Sequence, residues 1–198
     1  MDDIVIYLVD DDPALCDSLG YLFDSVGWRM QAFHDPQAFL SQYRPDQAAC
    51  LLLDIRMPGM SGLEVQQSLL RDGHSLPIVF ITGHGDIAMA VKAMQDGAID
   101  FIEKPFREQT LLEAVNRAVR HIPAAHYLNR VRERHGALTQ REKDVARLVA
   151  LGHRNKIIAM ELAISERTVQ VHRQNALEKM QARSTAELVQ DLVRLGEL

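Results

Sequence analysis

Ile4-Val5-Ile6-Tyr7-Leu8-Val9-Asp10-Asp11-Asp12 is the stretch on which the fold turns. Six consecutive apolar residues run directly into three carboxylates. A strand wetted on one face would alternate apolar and polar residues. An unbroken run is expected of a strand buried on both faces of a parallel sheet. Charge at its carboxyl end marks the edge where open parallel sheets hold ligands. Working outward, Leu15, Leu19, Leu22 and Val26 have helical spacing, and Gly27 ends that helix. Trp28 to Phe33 reads as a second strand, and Pro36 opens a short helix through Tyr43. Cys50-Leu51-Leu52-Leu53 is a third strand ending in Asp54, and Met57-Pro58-Gly59 is a loop before a helix that turns Leu63 and Leu69 inward. Ile78-Val79-Phe80-Ile81 is a fourth strand ending in Thr82, and Ile87, Val91 and Met94 mark the next helix. A weaker fifth strand spans Ala98 to Ile102, Lys104-Pro105 interrupts it, and a helix covers Thr110 to Arg120. Five strand-helix units imply a parallel sheet wrapped by helices on both faces.

The remainder has a different texture. Residues 138–195 carry no strand signal. Thr139-Gln140-Arg141-Glu142 has the form of a capping box, opening a helix that Gly152 stops. A short helix over Lys156–Leu162 follows. Ser165 caps a third over Glu166–Met180, and a fourth covers Thr185–Arg194. Residues 122–136 read as a linker, helical in part because Tyr127, Leu128 and Val131 are helically spaced despite Pro123. The expected organisation is therefore an α/β domain over residues 1–121, this linker, and an all-α domain over residues 137–198.

Composition is consistent with two globular domains. The chain has 198 residues, 47% of them apolar and 25% charged, with a net charge of −5. Those values exclude collagen-like, disordered and disulfide-scaffold chains. No apolar run approaches the roughly 20 residues of a membrane span, and Met1-Asp2-Asp3 is not a signal peptide. A cytoplasmic protein without a membrane partner is expected. Cys16 and Cys50 are too few for a metal cage and read as buried thiols. Charge is unevenly divided. Residues 1–121 hold 9 Lys and Arg against 18 Asp and Glu, a net −9; residues 122–198 hold 13 against 9, a net +4. A basic all-α half suggests a polyanionic partner.

The acidic half gathers its chemistry at one edge. Asp10, Asp11 and Asp12 follow the first strand, Asp54 the third, Thr82 the fourth and Lys104 the fifth. Carboxylates on adjacent strand ends repel unless a cation joins them, and oxygen-only ligands suit a hard cation, Mg²⁺. Lys104 can pair with a carboxylate or a phosphoryl oxygen, and the Thr82 hydroxyl can donate to the same group. Asp12 has a simpler use as the cap of the first helix. For Asp54 no such use exists, because an ionised group ending a Leu-Leu-Leu strand needs a partner.

On these residues the first half resembles the receiver domain of two-component response regulators. The matching pieces are Leu8-Val9-Asp10-Asp11-Asp12, Leu53-Asp54-Ile55-Arg56-Met57-Pro58-Gly59-Met60-Ser61-Gly62, Ile81-Thr82-Gly83-His84-Gly85 and Phe101-Ile102-Glu103-Lys104-Pro105-Phe106. The resemblance implies a CheY-like sheet of order 2-1-3-4-5 with Asp54 as phospho-acceptor. Mg²⁺ would be held by Asp10, Asp11, Asp54 and the backbone carbonyl of Arg56. It also implies a switch in which Thr82 moves toward the phosphoryl group and Phe101 swings inward. Phe101 stands where Tyr is commoner, which removes a hydroxyl but keeps the rotor. A cis Lys104-Pro105 bond is implied too. Arg56 and His84, each two residues past a site residue, are expected to tune attack by water on the phosphoryl group.

The second half resembles the LuxR-type helix-turn-helix through Leu138-Thr139-Gln140-Arg141-Glu142, Gly152-His153-Arg154-Asn155-Lys156-Ile157-Ile158-Ala159 and Ile164-Ser165-Glu166-Arg167-Thr168-Val169-Gln170-Val171-His172. Together the halves resemble a NarL/FixJ-family regulator, on the FixJ branch. On a helical wheel Val169, Ala176, Leu177 and Met180 cluster inward, and Arg167, Gln170, Val171, Gln174 and Glu178 lie opposite. Gln170 and Gln174 suit adenine and Val171 a thymine methyl, while Lys156, Arg167 and Lys179 are assigned to phosphates. Arg173 falls nearer the inward side and is either an ion-pair partner, to Glu142 for instance, or a DNA contact. The resemblance implies a sensor histidine kinase, operator DNA, RNA polymerase and a phosphorylation-dependent homodimer as partners. Two rivals stand beside it. A Mg²⁺-dependent phosphohydrolase would carry a second Asp two residues after its nucleophile, where this chain has Ile55-Arg56. A DNA binder with a degenerate receiver is opposed by the intact Asp10, Asp11, Asp54, Thr82 and Lys104.

Overall fold

The computed structural model describes residues 4–83 and 87–198. It divides into two compact units, Met1–Asn129 and Arg130–Leu198.

In the first unit, strands β1 (Val5–Val9), β2 (Arg29–Phe33), β3 (Ala49–Asp54), β4 (Ile78–Thr82) and β5 (Asp100–Glu103) alternate with helices α1 (Pro13–Ser25), α2 (Pro36–Gln42), α3 (Gly62–Arg71), α4 (Ile87–Gln95) and α5 (Glu108–Gly136), whose last turns past Asn129 belong to the second unit. The sheet is parallel, in the order β2-β1-β3-β4-β5. Every residue of β1, β3 and β4 is buried, as the unbroken apolar runs require. Alternate side chains feed two cores. Val5, Tyr7, Val9, Leu51, Leu53 and Phe80 pack with Phe39, Val65 and Ala93 of α2, α3 and α4. Ile6, Leu8, Cys50, Leu52, Val79 and Ile81 pack with Leu19 and Phe23 of α1 and Leu111 and Val115 of α5. This two-faced burial is the largest favourable contribution to the fold, and it leaves the carboxyl edge for polar residues.

Helix α5 is longer than the Thr110–Arg120 span that its periodicity suggests. It continues through Pro123 to Gly136. A proline removes one backbone donor from a helix interior. Side-chain anchors on the same helix offset that loss. Ile122 is buried in the α1-side core. Asn129 is buried, accepts the Ser75 N–H at 2.7 Å, and donates to the carbonyls of Ser75 (2.8 Å) and Pro45 (3.2 Å).

The second unit contains α6 (Gln140–Ala150), α7 (Asn155–Glu161), α8 (Glu166–Met180) and α9 (Thr185–Leu195). The Thr139 hydroxyl accepts the Glu142 N–H at 3.3 Å, and the Glu142 carboxylate accepts the Thr139 N–H at 2.8 Å, closing the capping box. Ser165 caps α8 by accepting the Thr168 N–H at 3.1 Å. Ala146, Ala176, Met180, Leu188 and Leu192 form one core, and Val145, Ile158 and Val169 another. Among the described residues no helix is long and apolar enough to cross a membrane.

Candidate functional site

Four of the strands deliver the polar residues to one edge. Asp10 lies one residue past β1, Asp54 ends β3, Thr82 ends β4 and Lys104 lies one residue past β5. Asp10 and Thr82 are fully buried and Asp54 nearly so, while Asp11 is exposed. Lys104 brings the edge together. Its Nζ donates to Asp10 Oδ2 at 2.6 Å and to Asp54 Oδ2 at 3.2 Å. Its backbone N–H donates to the Thr82 carbonyl at 2.8 Å, which fixes the root of the side chain to β4. The Lys104-Pro105 bond is cis, as the resemblance to receivers implies.

Backbone donors fix the remaining carboxylate oxygens. Asp10 Oδ1 accepts the Asp12 N–H at 3.0 Å, and Asp54 Oδ1 accepts the Arg56 N–H at 3.3 Å. Asp12 caps α1 through its Oδ1, which accepts the N–H groups of Ala14 (2.9 Å) and Leu15 (3.3 Å). Burial raises the Asp10 pKa against the pull of Lys104. Burial alone would lower Lys104, but its bond to Asp10 and the charges of Asp10 and Asp54 outweigh that and raise it. The ammonium therefore stays charged at neutral pH. The thiols are inert at that pH, since burial pushes Cys16 to about 11 and Cys50 to about 12.

Carboxylate oxygens of Asp10, Asp11 and Asp54 all lie within 4.8 Å of one another. Three carboxylates against one ammonium leave an excess of negative charge. An oxygen-only set of this size suits a hard divalent cation that keeps part of its water shell. The acidic pocket is thus compatible with divalent metal binding.

Beside it opens a cleft of about 550 Å³, lined by Asp11, Arg56, Met57, Pro58, Leu63 and Met89 among others. Arg56 is exposed at this rim. The apolar lining was not singled out in the sequence; the signal available was Met57-Pro58 three residues past Asp54, a methionine in a segment read only as a loop. Phe101, part-buried on β5 opposite Phe80, packs at the edge of the α4-side core. His84 lies outside the described residues.

Lys104 bonds to both Asp10 and Asp54, so its removal should be felt twice. Lys104→Met is expected to destabilise the first unit by about 2 kcal/mol, because Asp10 is left buried without its cation. Asp10 should then take up a proton, and Mg²⁺ should recover more stability for the variant than for the wild type. Urea unfolding with and without Mg²⁺ measures both.

The second unit presents a separate surface. Arg167, Gln170, Val171 and Gln174 of α8 are exposed and line one open concavity. Gln174 donates to Glu178 at 2.9 Å. Lys156 is exposed on α7. Two basic residues of α8 have partners within the unit. Arg173 does not reach Glu142; it donates to the Thr185 hydroxyl at 2.8 Å. Lys179, assigned from sequence to phosphate, places its Nζ 2.7 Å from Glu142 Oε2. Lys179 sits about 180° around α8 from Gln170 and about 80° from Val171, at 100° per residue.

Burial would raise Glu142, but its bonds from Lys179 and Thr139 outweigh that and lower it to about 2. A depressed carboxylate contributes stability that is complete above its unfolded value, about 4.3 for Glu, and is lost as pH falls toward about 2. Glu142→Gln is therefore expected to increase hydrogen exchange in α6 and α8 at pH 7. The gap from wild type should narrow at pH 3.

Comparison with known proteins covers both units. Residues 6–116 match the response regulator receiver domain family, and residues 136–191 match the luxR family of bacterial regulatory proteins. The response regulator protein TmoT of Ectopseudomonas mendocina is 47% identical over 197 residues, spanning 98% of this chain and 88% of TmoT. The response regulator StyR has a solved structure that aligns over 97% of this chain and 99% of its own, with 42% identity and a TM-score of 0.60. Full-length FixJ from B. japonicum aligns over 98% of both chains, with 40% identity and a TM-score of 0.56.

Proposed function

The chain belongs to the NarL/FixJ family of two-component response regulators, receiver domain first and LuxR-type DNA-binding domain second, and from that premise we propose that Asp54 is its phospho-acceptor and DNA binding its output. Residues 1–121 serve as the phospho-acceptor domain, 122–136 as the linker and 137–198 as the DNA-binding domain. The observation that carries the reading is the Lys104 ammonium held 2.6 Å from Asp10 and 3.2 Å from Asp54 at the carboxyl edge of the sheet.

An Asp54 oxygen attacks the phosphorus of a phosphohistidine on a sensor histidine kinase. The P–N bond breaks, and the imidazole leaves with the electron pair. Lys104 offsets charge on the transferred group, and the Thr82 hydroxyl donates to it afterwards. Asp10, Asp11, Asp54 and the Arg56 carbonyl would hold Mg²⁺, which would supply positive charge against the transferred group. Phe101 turns inward as Thr82 moves, which reshapes the face of α4, β5 and α5 for dimerisation. Two DNA-binding domains then read paired half-sites. Gln170, Val171 and Gln174 meet base edges, and Lys156 and Arg167 meet phosphates. The output in the cytoplasm is regulated transcription by RNA polymerase. The receiver assists its own phosphorylation and autodephosphorylation and turns over no separate substrate.

Acetyl phosphate with Mg²⁺ tests this directly. The expected result is a mass gain of one phosphoryl group, a shift from monomer to dimer, and loss of both in EDTA. An unchanged mass would remove the proposal.

A further inference from the structure

The assigned base-reading residues of α8 gain nothing from being well chosen unless the helix is held at one rotation about its own axis. Its inward contacts are Val169, Ala176 and Met180, all fully buried. Apolar contacts of this kind are non-directional, and they tolerate small rotations and slides. What fixes angle must be directional. Two side chains on α8 supply that: Arg173, bonded to the Thr185 hydroxyl, and Lys179, paired with Glu142.

The Glu142 end is held at several points. The carboxylate belongs to a residue only 3% exposed. The same Oε2 that takes Lys179 also accepts the Thr139 N–H at 2.8 Å, and the Thr139 hydroxyl in turn holds the Glu142 N–H. A capping box ordinarily serves its own helix end. Here it also presents a fixed anion to the last turn of α8. Lys179 meets that anion from the side of α8 about 180° from Gln170 and about 140° from Gln174. From there the ammonium tethers the helix on the flank away from Gln170 and Gln174, about 80° beyond Val171.

We infer that Glu142 and Lys179 form a positioning pair that sets the rotation of α8, and that Lys179 acts on DNA recognition through this pair rather than by touching phosphate. The inference rests on the reading of α8 as the recognition helix. It makes a distinction that affinity alone does not. A phosphate contact adds to binding of every sequence and steepens the salt dependence, by about 0.9 in the slope of log K against log salt per contact. A positioning pair affects only the alignment of base contacts. Its loss lowers specific binding and leaves non-specific binding and the salt slope alone.

The experiment uses the full chain treated with acetyl phosphate and Mg²⁺. A duplex is first selected by the wild-type protein from a randomised library. Binding to it is compared with binding to a scrambled duplex of equal length over a salt series. Lys179→Met and Glu142→Gln are each expected to lose about tenfold in preference for the selected duplex, the scale of one good base contact. The double variant should lose little more than either single one, and Lys179→Arg should recover most of the preference. Scrambled-duplex affinity and both salt slopes should match wild type, whereas Arg167→Ala should flatten the slope. Should Lys179→Met prove unfolded, Lys179→Gln replaces it: a lost preference at an unchanged salt slope supports the pair, and a flattened slope overturns it. A flattened slope in Lys179→Met with unchanged binding by Glu142→Gln would make Lys179 a phosphate contact and overturn the inference. A wild-type chain that selects no sequence would instead sink the reading of α8 itself, and this inference with it.

Discussion

Asp54→Asn is expected to abolish the mass gain from acetyl phosphate and, with it, every phosphate-dependent change in oligomeric state and DNA affinity. The substitution is nearly isosteric, so the surroundings of β3 need not move. Leu51, Leu52 and Leu53 stay buried, and Lys104 keeps its 2.6 Å bond to Asp10. What disappears is an anionic oxygen able to attack phosphorus. An amide is a far poorer nucleophile. One of the three clustered carboxylates is also lost, so Mg²⁺ binding should weaken about tenfold or more. Stability without Mg²⁺ should stay within about 1 kcal/mol, because a repulsion between Asp10 and Asp54 goes with the lost bond from Lys104. Mass spectrometry of intact protein and of its peptides measures the effect. A phosphoryl group that migrates to Asp11 or Asp12 would be located by the peptides. A wild-type level of modification would show that Asp54 is not the acceptor.

How much of this was legible beforehand follows from the range of each interaction. The buried strands were readable because each residue of β1, β3 and β4 carries its own burial signal. The caps at Asp12, Thr139 and Ser165 were readable because donor and acceptor lie within a few residues. The carboxyl-edge cluster was also readable, since topology brings strand ends together whatever the side chains do. Distances within it were not. The resemblance to receivers named Lys104, but nothing local places an ammonium 2.6 Å from a side chain 94 residues away. Polar contacts between distant segments leave no periodic trace, and three were missed for that reason. Asn129 sits in a segment read as linker, yet its side chain is bonded to Ser75 and Pro45. Gln66 is buried and donates to the carbonyls of Ala93 (3.1 Å) and Asp96 (3.3 Å), which ties α3 to the end of α4. The pairing of Lys179 with Glu142 joins residues 37 apart in the chain, and the sequence reading gave Lys179 only to phosphate.

Gly62→Ala should be the most damaging conservative change in the first unit. Gly62 opens α3, and its N–H donates to the Ile55 carbonyl at 3.0 Å. The helix start is thereby pressed against the end of β3. A methyl group added there would lie 2.1 Å from the Asp54 carbonyl oxygen, 3.0 Å from its carbonyl carbon and 3.0 Å from Leu53 Cγ. The nearest obstacles are backbone atoms of a fully buried strand, which no rotamer change can clear. Either α3 backs away and loses its bond to Ile55, or the end of β3 bends and carries Asp54 with it. Overpacking of this severity costs about 3 kcal/mol. For a domain of this size that lowers Tm by about 10 °C. Phosphorylation by acetyl phosphate should slow as well, because the displaced segment carries both Asp54 and the Arg56 N–H that orients it. Gly20→Ala supplies the contrast. That glycine lies inside α1, and its added methyl group would meet only the flexible tip of Met30 at 3.5 Å. Alanine is the better helix former by up to about 1 kcal/mol, so this variant should melt slightly above wild type. Thermal unfolding of the two variants side by side separates close backbone approach from helix propensity. A Gly62→Ala chain as stable as Gly20→Ala would mean that the junction of β3 and α3 has slack, and that the placement of Asp54 does not depend on it.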